Sequence, residues 1–293
     1  MTAAVIRWLA DDARAATEIE TILDRREVER GRVELSGVAG LTRAEIEIDS
    51  HGSTLRAELL AAAREHTFSV GLVPAVHRDV APGWIAFDAD STLVDAEGID
   101  RLAERAGVGP AVSALTARAM RGELDYEASL RERTKRLAGL AWSEVEAEAA
   151  DLPLVPGAIE AVSTARDRGW HVAVISGGFL PLVEAVARRL RLDHATAHEL
   201  EVIDDRLSGR ICGPVIDAAA KASILDRLRA GRPAIAVGDG ANDAPMLASA
   251  GLGVAFGSKS VLDAVADVVV HRHDLRATVA LALPSSGHPR PSR

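Results

Sequence analysis

Between Trp84 and Val94 the chain reads Trp-Ile-Ala-Phe-Asp-Ala-Asp-Ser-Thr-Leu-Val. The apolar run suits a buried strand, and it stops at Asp88 and Asp90. A buried strand that ends in two carboxylates is costly unless each acid is solvated, paired or bound to a metal. At i and i+2 of an extended segment the two lie on the same side. One can then act as nucleophile or metal ligand while the other, its pKa raised by its neighbour, keeps a proton. A solvated turn is the other reading of the same triplet, so the rest of the chain has to decide.

After this strand the chain turns helical before any second strand. Ile99, Leu102, Ala103 and Ala106 share one stripe, and further helical patterns cover Val112–Arg121, Tyr126–Leu137 and Ser143–Ala150. From 155 strands and helices alternate: a helix through Ala165, a strand 171–175, a helix carrying Val183 to Leu190, a strand from Ala195, a hairpin turn at 204–210, a helix from about 217 to 230, then short strands at 234–237, 252–256 and 267–270. That alternation predicts an α/β fold with a Rossmann-like parallel sheet and ligands at the carboxyl ends of its strands.

Residues 1 to about 80 predict a separate α+β domain of order β-α-β-β-α-β. Here Ala44, Ile46 and Ile48 alternate with Glu45, Glu47 and Asp49, as in a half-buried strand. The expected organisation is an N-terminal domain 1–80, a core of 81–98 and 151–283, a helical insertion 99–150, and a disordered tail 284–293 with three prolines.

Three more constellations fall at predicted strand ends or face the sheet. Ser176-Gly177-Gly178-Phe179 follows a strand and is expected to open a helix, where backbone N–H groups can meet a phosphate; an ordinary helix cap fits as well. Gly238-Asp239-Gly240-Ala241-Asn242-Asp243 follows another strand. Asp239 with Asp88 would offer hard oxygen ligands for Mg²⁺, whereas Asn242 or Asp243 also suits an N-cap. Lys221 shares a stripe with Ile224, Leu225 and Leu228, so it either points inward to an anionic partner or snorkels to water.

Taken in order, Asp88-Ala89-Asp90-Ser91-Thr92, Ser176-Gly177, Lys221 and Gly238 to Asp243 resemble the haloacid dehalogenase-type phosphatase superfamily, from about 84 to 276, with the helical insertion where that superfamily keeps its cap. The run DADSTLVDAEGIDRLAERAG from Asp88, together with Ser129 to Arg133, Val174 to Phe179 and Asp274-Leu275-Arg276, resembles the phosphoserine phosphatases. The N-terminal order resembles an ACT domain. Its first turn, Ala10 to Arg14, lacks the glycine of ligand-binding members, so a packing or dimerisation role is expected.

The resemblance implies Mg²⁺-dependent hydrolysis of O-phospho-L-serine to L-serine, the last step of serine biosynthesis. Asp88 would be the nucleophile and Asp90 the acid/base. Asp88, the Asp90 carbonyl and Asp239 would hold the metal. Ser176, Gly177, Lys221 and Asn242 would bind the phosphoryl group, with Asp243 orienting Lys221. Glu97 would meet the substrate ammonium and Arg133 its carboxylate, although Arg131-Glu132-Arg133 also suits a solvated helix face. Met120 and Tyr126 fall at apolar cap positions, and Tyr126 stands where Phe is more usual. A phosphatase for another small phosphate, such as phosphohomoserine, or a non-catalytic amino-acid sensor are the alternatives.

Bulk properties narrow the partners. With 34 basic against 43 acidic residues the formal charge is −9, which disfavours nucleic acid and anionic membranes. A single cysteine, Cys212, fits a reducing compartment. No apolar run approaches a membrane span, and the first residues lack a signal-peptide pattern, so a cytoplasmic protein is expected. A homodimer is the base-rate expectation.

Overall fold

The structure is a computed structural model and describes residues 3–49, 52–257 and 260–284. The first unit is β1 (Ala4–Leu9), α1 (Ala13–Arg25), β2 (Glu34–Val38), β3 (Leu41–Ile48), α2 (Ser53–His66) and β4 (Val70–Pro74), in the expected order. β5 (Trp84–Phe87) leads into four helices, α3 (Gly98–Arg105), α4 (Gly109–Met120), α5 (Tyr126–Arg136) and α6 (Trp142–Asp151). The alternation then resumes with α7 (Ala158–Asp167), β6 (His171–Phe179), α8 (Leu180–Leu190), the β7–β8 hairpin (His194–Ile203, Arg206–Cys212) and α9 (Ala218–Arg229). It closes with β9 (Ala234–Gly238), α10 (Ala244–Ser249), β10 (Leu252–Phe256), β11 (Val268–Val270) and α11 (Arg276–Ala282).

All of the strands form one sheet, in the order β2-β3-β1-β4-β11-β10-β9-β5-β6-β7-β8. The β9, β5 and β6 strands are parallel neighbours. The chain leaves β5 toward β6 on one side and reaches β9 on the other, so a topological switch point lies at the carboxyl end of β5. Asp88 stands there. Both faces of the sheet are covered, Ile85 and Phe87 facing one core and Ala86 the other. That is why β5 reads as a continuous apolar run rather than an alternation.

The N-terminal unit is not free-standing: β4 pairs antiparallel with β11 through Val70–Val269 and Gly71–Val268 and joins the two sheets. Nor is β3 half-buried, for Arg43 and Glu45 are buried, as is Arg7 of β1. The cover is α11, which the periodicity does not reveal because it is short and buried on every side from Ala277 to Ala282. Arg7 donates to Glu45 at 2.8 Å and to the carbonyls of Leu281 and Leu283 at 3.0 Å each. Arg43 donates to Ala280 O at 3.1 Å and Leu283 O at 2.8 Å. Two guanidiniums thus satisfy the carbonyls that the end of α11 leaves open, where cations are favoured. Of the expected tail, 285–293 lies outside the described residues, while Pro284 is buried and accepts a hydrogen bond from Arg168.

The helical insertion is fastened at two places. Buried Glu148 of α6 pairs with Arg101 and Arg105 of α3. The β7–β8 hairpin, whose turn is only Asp204-Asp205 with φ of 49° and 56°, receives Trp142 N–H at Asp205 O and Gly139 N–H at Leu207 O. Both turn residues lie in the left-handed region that two-residue hairpin turns use.

Glu45→Gln is expected to cost about 3 kcal/mol of unfolding free energy, because Arg7 and Arg43 remain buried with less compensation. Arg26→Ala, at a pair about one-third exposed on each side, should cost under about 1 kcal/mol. Urea denaturation of the two variants checks the difference.

Candidate active site

Each piece of the site hangs from the end of a central strand. Asp88 follows β5, Ser176 lies in β6 and Asp239 follows β9. A cavity of about 150 Å³ at these ends is lined by Asp88, Asp90, Glu97, Tyr126, Arg133, Ser176, Gly177, Asp239 and Asn242, with Ile99, Leu130 and Phe179 as apolar wall. Nine of the residues singled out in the sequence therefore share one space. Lys221 and Asp243 lie beneath it, and for Met120, the last residue of α4, only the backbone is described.

Lys221 points inward rather than snorkelling and is 1% exposed. Its ammonium lies 2.7 Å from Asp88 Oδ1 and 2.8 Å from Asp243 Oδ1. Burial alone would lower its pKa, but the two carboxylates outweigh that and raise it. Asp243 occupies the N-cap position of α10, but its side chain makes no capping hydrogen bond to that helix. Its second oxygen accepts the N–H groups of Asp239 and Gly240, each at 3.1 Å, and so folds the loop after β9 back under itself. A Cβ on Gly238 would lie 2.4 Å from the Asp243 carboxyl carbon, so this fold-back requires glycine there.

Asp90 sits differently. Its Oδ1 accepts the Gly98 N–H at 3.0 Å, at the amino end of α3, where an anion is favoured. Burial first, then repulsion from Glu97 and Asp88, pushes its pKa up to about 7. Asp88 is also lifted to about 7, by burial first, with Lys221 pulling the other way and Asp243 adding to the rise. Ser91, directly after Asp90, has φ of 57°, uncommon for a non-glycine residue, and its hydroxyl donates to Glu97 Oε1 at 2.9 Å. That constrained turn aims Glu97 at the cavity mouth. Arg133 is half-buried, its Nε donating to Ser129 O at 3.3 Å, whereas Arg131 is exposed and paired with Glu127. The solvated-face reading suits Arg131, not Arg133.

The Ser176–Phe179 segment is followed by a helix, as expected, but does not itself form the start of that helix. It continues β6 as extended chain, and α8 begins only at Leu180. Ser176 Oγ accepts the Gly178 N–H at 2.9 Å. A Cβ on Gly177 would lie 2.3 Å from the Tyr126 hydroxyl, so glycine here follows from the approach of the helical insertion.

Oxygen atoms of Asp88, Asp239 and Asp243 lie within 4.8 Å of one another. Three carboxylates beside one ammonium concentrate negative charge in a buried place, and hard oxygen donors suit a divalent cation such as Mg²⁺. Asp243 is already committed to Lys221 and two amides, which leaves Asp88 and Asp239 as the better-placed pair. No motif marks His198, a buried side chain behind Gly177, because its partners are backbone atoms distant along the chain.

An α/β sheet with acids at its switch point and a helical insertion above them defines a class. Profiles of the haloacid dehalogenase-like hydrolases match residues 83–251 and 225–283, and the chain belongs to that family. Within the family it is similar to phosphoserine phosphatases. It is 44% identical over 216 residues to one from Mycobacterium tuberculosis, covering 70% of this chain and 51% of that protein. It is 41% identical over 199 residues to one from Idiomarina loihiensis, covering 66% and 90%. Among solved structures, a HAD family hydrolase from Salmonella enterica serovar Typhi superposes with TM-score 0.85 at 26% identity, over 96% of this chain and 99% of that one. A probable phosphoserine phosphatase from Vibrio cholerae gives 0.76 at 32%, over 96% and 86%. The chain spans about half the length of several curated relatives it matches.

Lys221→Met should leave Asp88 and Asp243 facing each other without their shared cation and destabilise the fold by about 3 kcal/mol. Urea denaturation in the presence of a chelator, against the parent protein, measures it.

Proposed function

We propose that the chain is a Mg²⁺-dependent phosphoserine phosphatase, hydrolysing O-phospho-L-serine to L-serine and phosphate. The observation that carries this reading is the lining of the 150 Å³ cavity, which sets the Asp88–Asp90 pair beside two further acids, Glu97 and Asp239, and one arginine, Arg133. A phosphate monoester on a zwitterionic headgroup needs such a set: a nucleophile, a proton carrier, and one fixed charge of each sign. The similarity to phosphoserine phosphatases at about 40% identity supports it.

In this mechanism an Asp88 oxygen attacks phosphorus and the bond from phosphorus to the serine oxygen breaks. The departing oxygen takes the proton from Asp90, which its raised pKa makes available near neutrality. Water then attacks the phosphoaspartate, giving its proton to Asp90 as the Asp88–phosphorus bond breaks. One carboxylate thus serves as acid and then base, and the transfer is split into two easier steps. Ser176, the amides at Gly177 and Asn242, and the Lys221 ammonium hold the phosphoryl oxygens. Asp243 keeps Lys221 in place.

Asp88, Asp239 and the Asp90 carbonyl would hold Mg²⁺, which when bound neutralises phosphate charge that would otherwise repel the nucleophile. Glu97 receives the substrate ammonium, and the Arg133 fork its carboxylate. Among the described residues no helix is long and apolar enough to cross a membrane, and Cys212 is an exposed free thiol, which supports a reducing, cytoplasmic setting.

Phosphate release from phosphoserine should require added Mg²⁺ after chelation, and Asp88→Asn should abolish it; release that persists in that variant removes Asp88 from the nucleophile role. Arg133→Ala should lower kcat/KM for phosphoserine by about 100-fold, as expected for loss of a charge-assisted pair, and for p-nitrophenyl phosphate far less. Equal losses on both substrates would sink the assignment of Arg133 to the carboxylate.

A further inference from the structure

Behind the phosphate side of the cavity, two side chains outside the proposed chemistry converge on the same stretch of backbone. The Tyr126 hydroxyl, on the first residue of α5, lies 3.3 Å from Gly177 O and 3.3 Å from Ile216 O. His198 of β7 is 1% exposed, and its Nε2 accepts the Ile216 N–H at 2.7 Å. Its proton therefore sits on Nδ1, which faces Gly177 O at 3.1 Å and Gly178 O at 3.2 Å. Burial lowers the pKa of the imidazole against these carbonyls and favours this neutral form.

Three separate segments meet in this network. Gly177 and Gly178 belong to the extended end of β6 that carries Ser176. Ile216 directly precedes Asp217, whose side chain caps α9 by accepting the Ala220 N–H at 2.8 Å, and α9 carries Lys221. Tyr126 belongs to α5, and Arg133 lies seven residues further on, on the same face of that helix. The ring of Tyr126 could pack equally well without its oxygen. What the hydroxyl adds is a link from the helical insertion to two core carbonyls, and what His198 adds is the fixed spacing of those carbonyls.

We propose that Tyr126 and His198 are paired positioning residues: the Tyr126 hydroxyl latches α5 over the cavity, and His198 holds the Gly177 and Ile216 segments at the separation that the hydroxyl bridges. The latch keeps Arg133 over the site while the same network ties the Ser176 strand end to the start of the Lys221 helix. Its kinetic consequence rests on the phosphatase reading, but the latch itself does not.

The test uses the full chain with Tyr126→Phe, His198→Ala and both together. Hydrogen exchange without substrate should be about fivefold faster for the α5 amides 130–136 in Tyr126→Phe, the effect of losing one hydrogen bond. Global unfolding should stay nearly unchanged. The double variant should add little to either single change, since both break one network. KM for phosphoserine should rise about fivefold with kcat nearly kept. Unchanged α5 exchange in Tyr126→Phe, or strictly additive effects in the double variant, overturns the latch. Accelerated exchange in a protein that does not hydrolyse phosphoserine would uphold the latch and remove the substrate assignment instead. If His198→Ala does not fold, exchange in Tyr126→Phe decides alone.

Discussion

The ammonium of Lys221 lies between two carboxylates beneath the active-site cavity, and the rest of the site is arranged around it. Burying Asp88 and Asp243 together would be prohibitive by repulsion and desolvation alone. Lys221 offsets part of that cost, at 2.7 and 2.8 Å from the two acids. Because Asp243 is fixed by the lysine, its other oxygen can gather the amides of Asp239 and Gly240. One buried cation therefore sets Asp88, the loop after β9 and the cluster suited to a metal. A rigid charge network of this kind presents its groups without reorganisation when negative charge arrives.

A second buried network performs a different task at the other end of the sheet. Arg7, Arg43 and Glu45 join the N-terminal unit to the last carbonyls of α11. With the β4–β11 pairing, they turn two modules into one continuous sheet. Association through charges sealed against helix carbonyls is geometrically demanding, so it fixes one orientation of the unit rather than a loose tether.

Much of the site was legible because its residues sit at strand ends in short, chemically odd clusters. Asp88 and Asp90 interrupt an apolar run, Asp239 is flanked by glycines, and Lys221 sits on an apolar stripe. What escaped reading had no such mark. Arg7 and Arg43 look like the solvent side of alternating strands until α11 covers them. Helix α11 itself is short and buried on every side from Ala277 to Ala282, so no periodicity reveals it. His198 works through backbone atoms of residues 18 to 21 positions away, a relation that a one-dimensional pattern does not carry.

By itself the sequence determined the alternating α/β order, the helical insertion after β5 and which acids stand at strand ends, since these follow from local periodicity and from charges placed where charges are costly. Tertiary structure alone decided that Arg133 rather than Arg131 faces the cavity, that Ser176 lies in extended chain rather than at a helix start, and that Tyr126 touches two core carbonyls. Each of those depends on which surfaces are brought together, and burial by a distant segment changes the energy of a side chain without changing any of its neighbours in sequence.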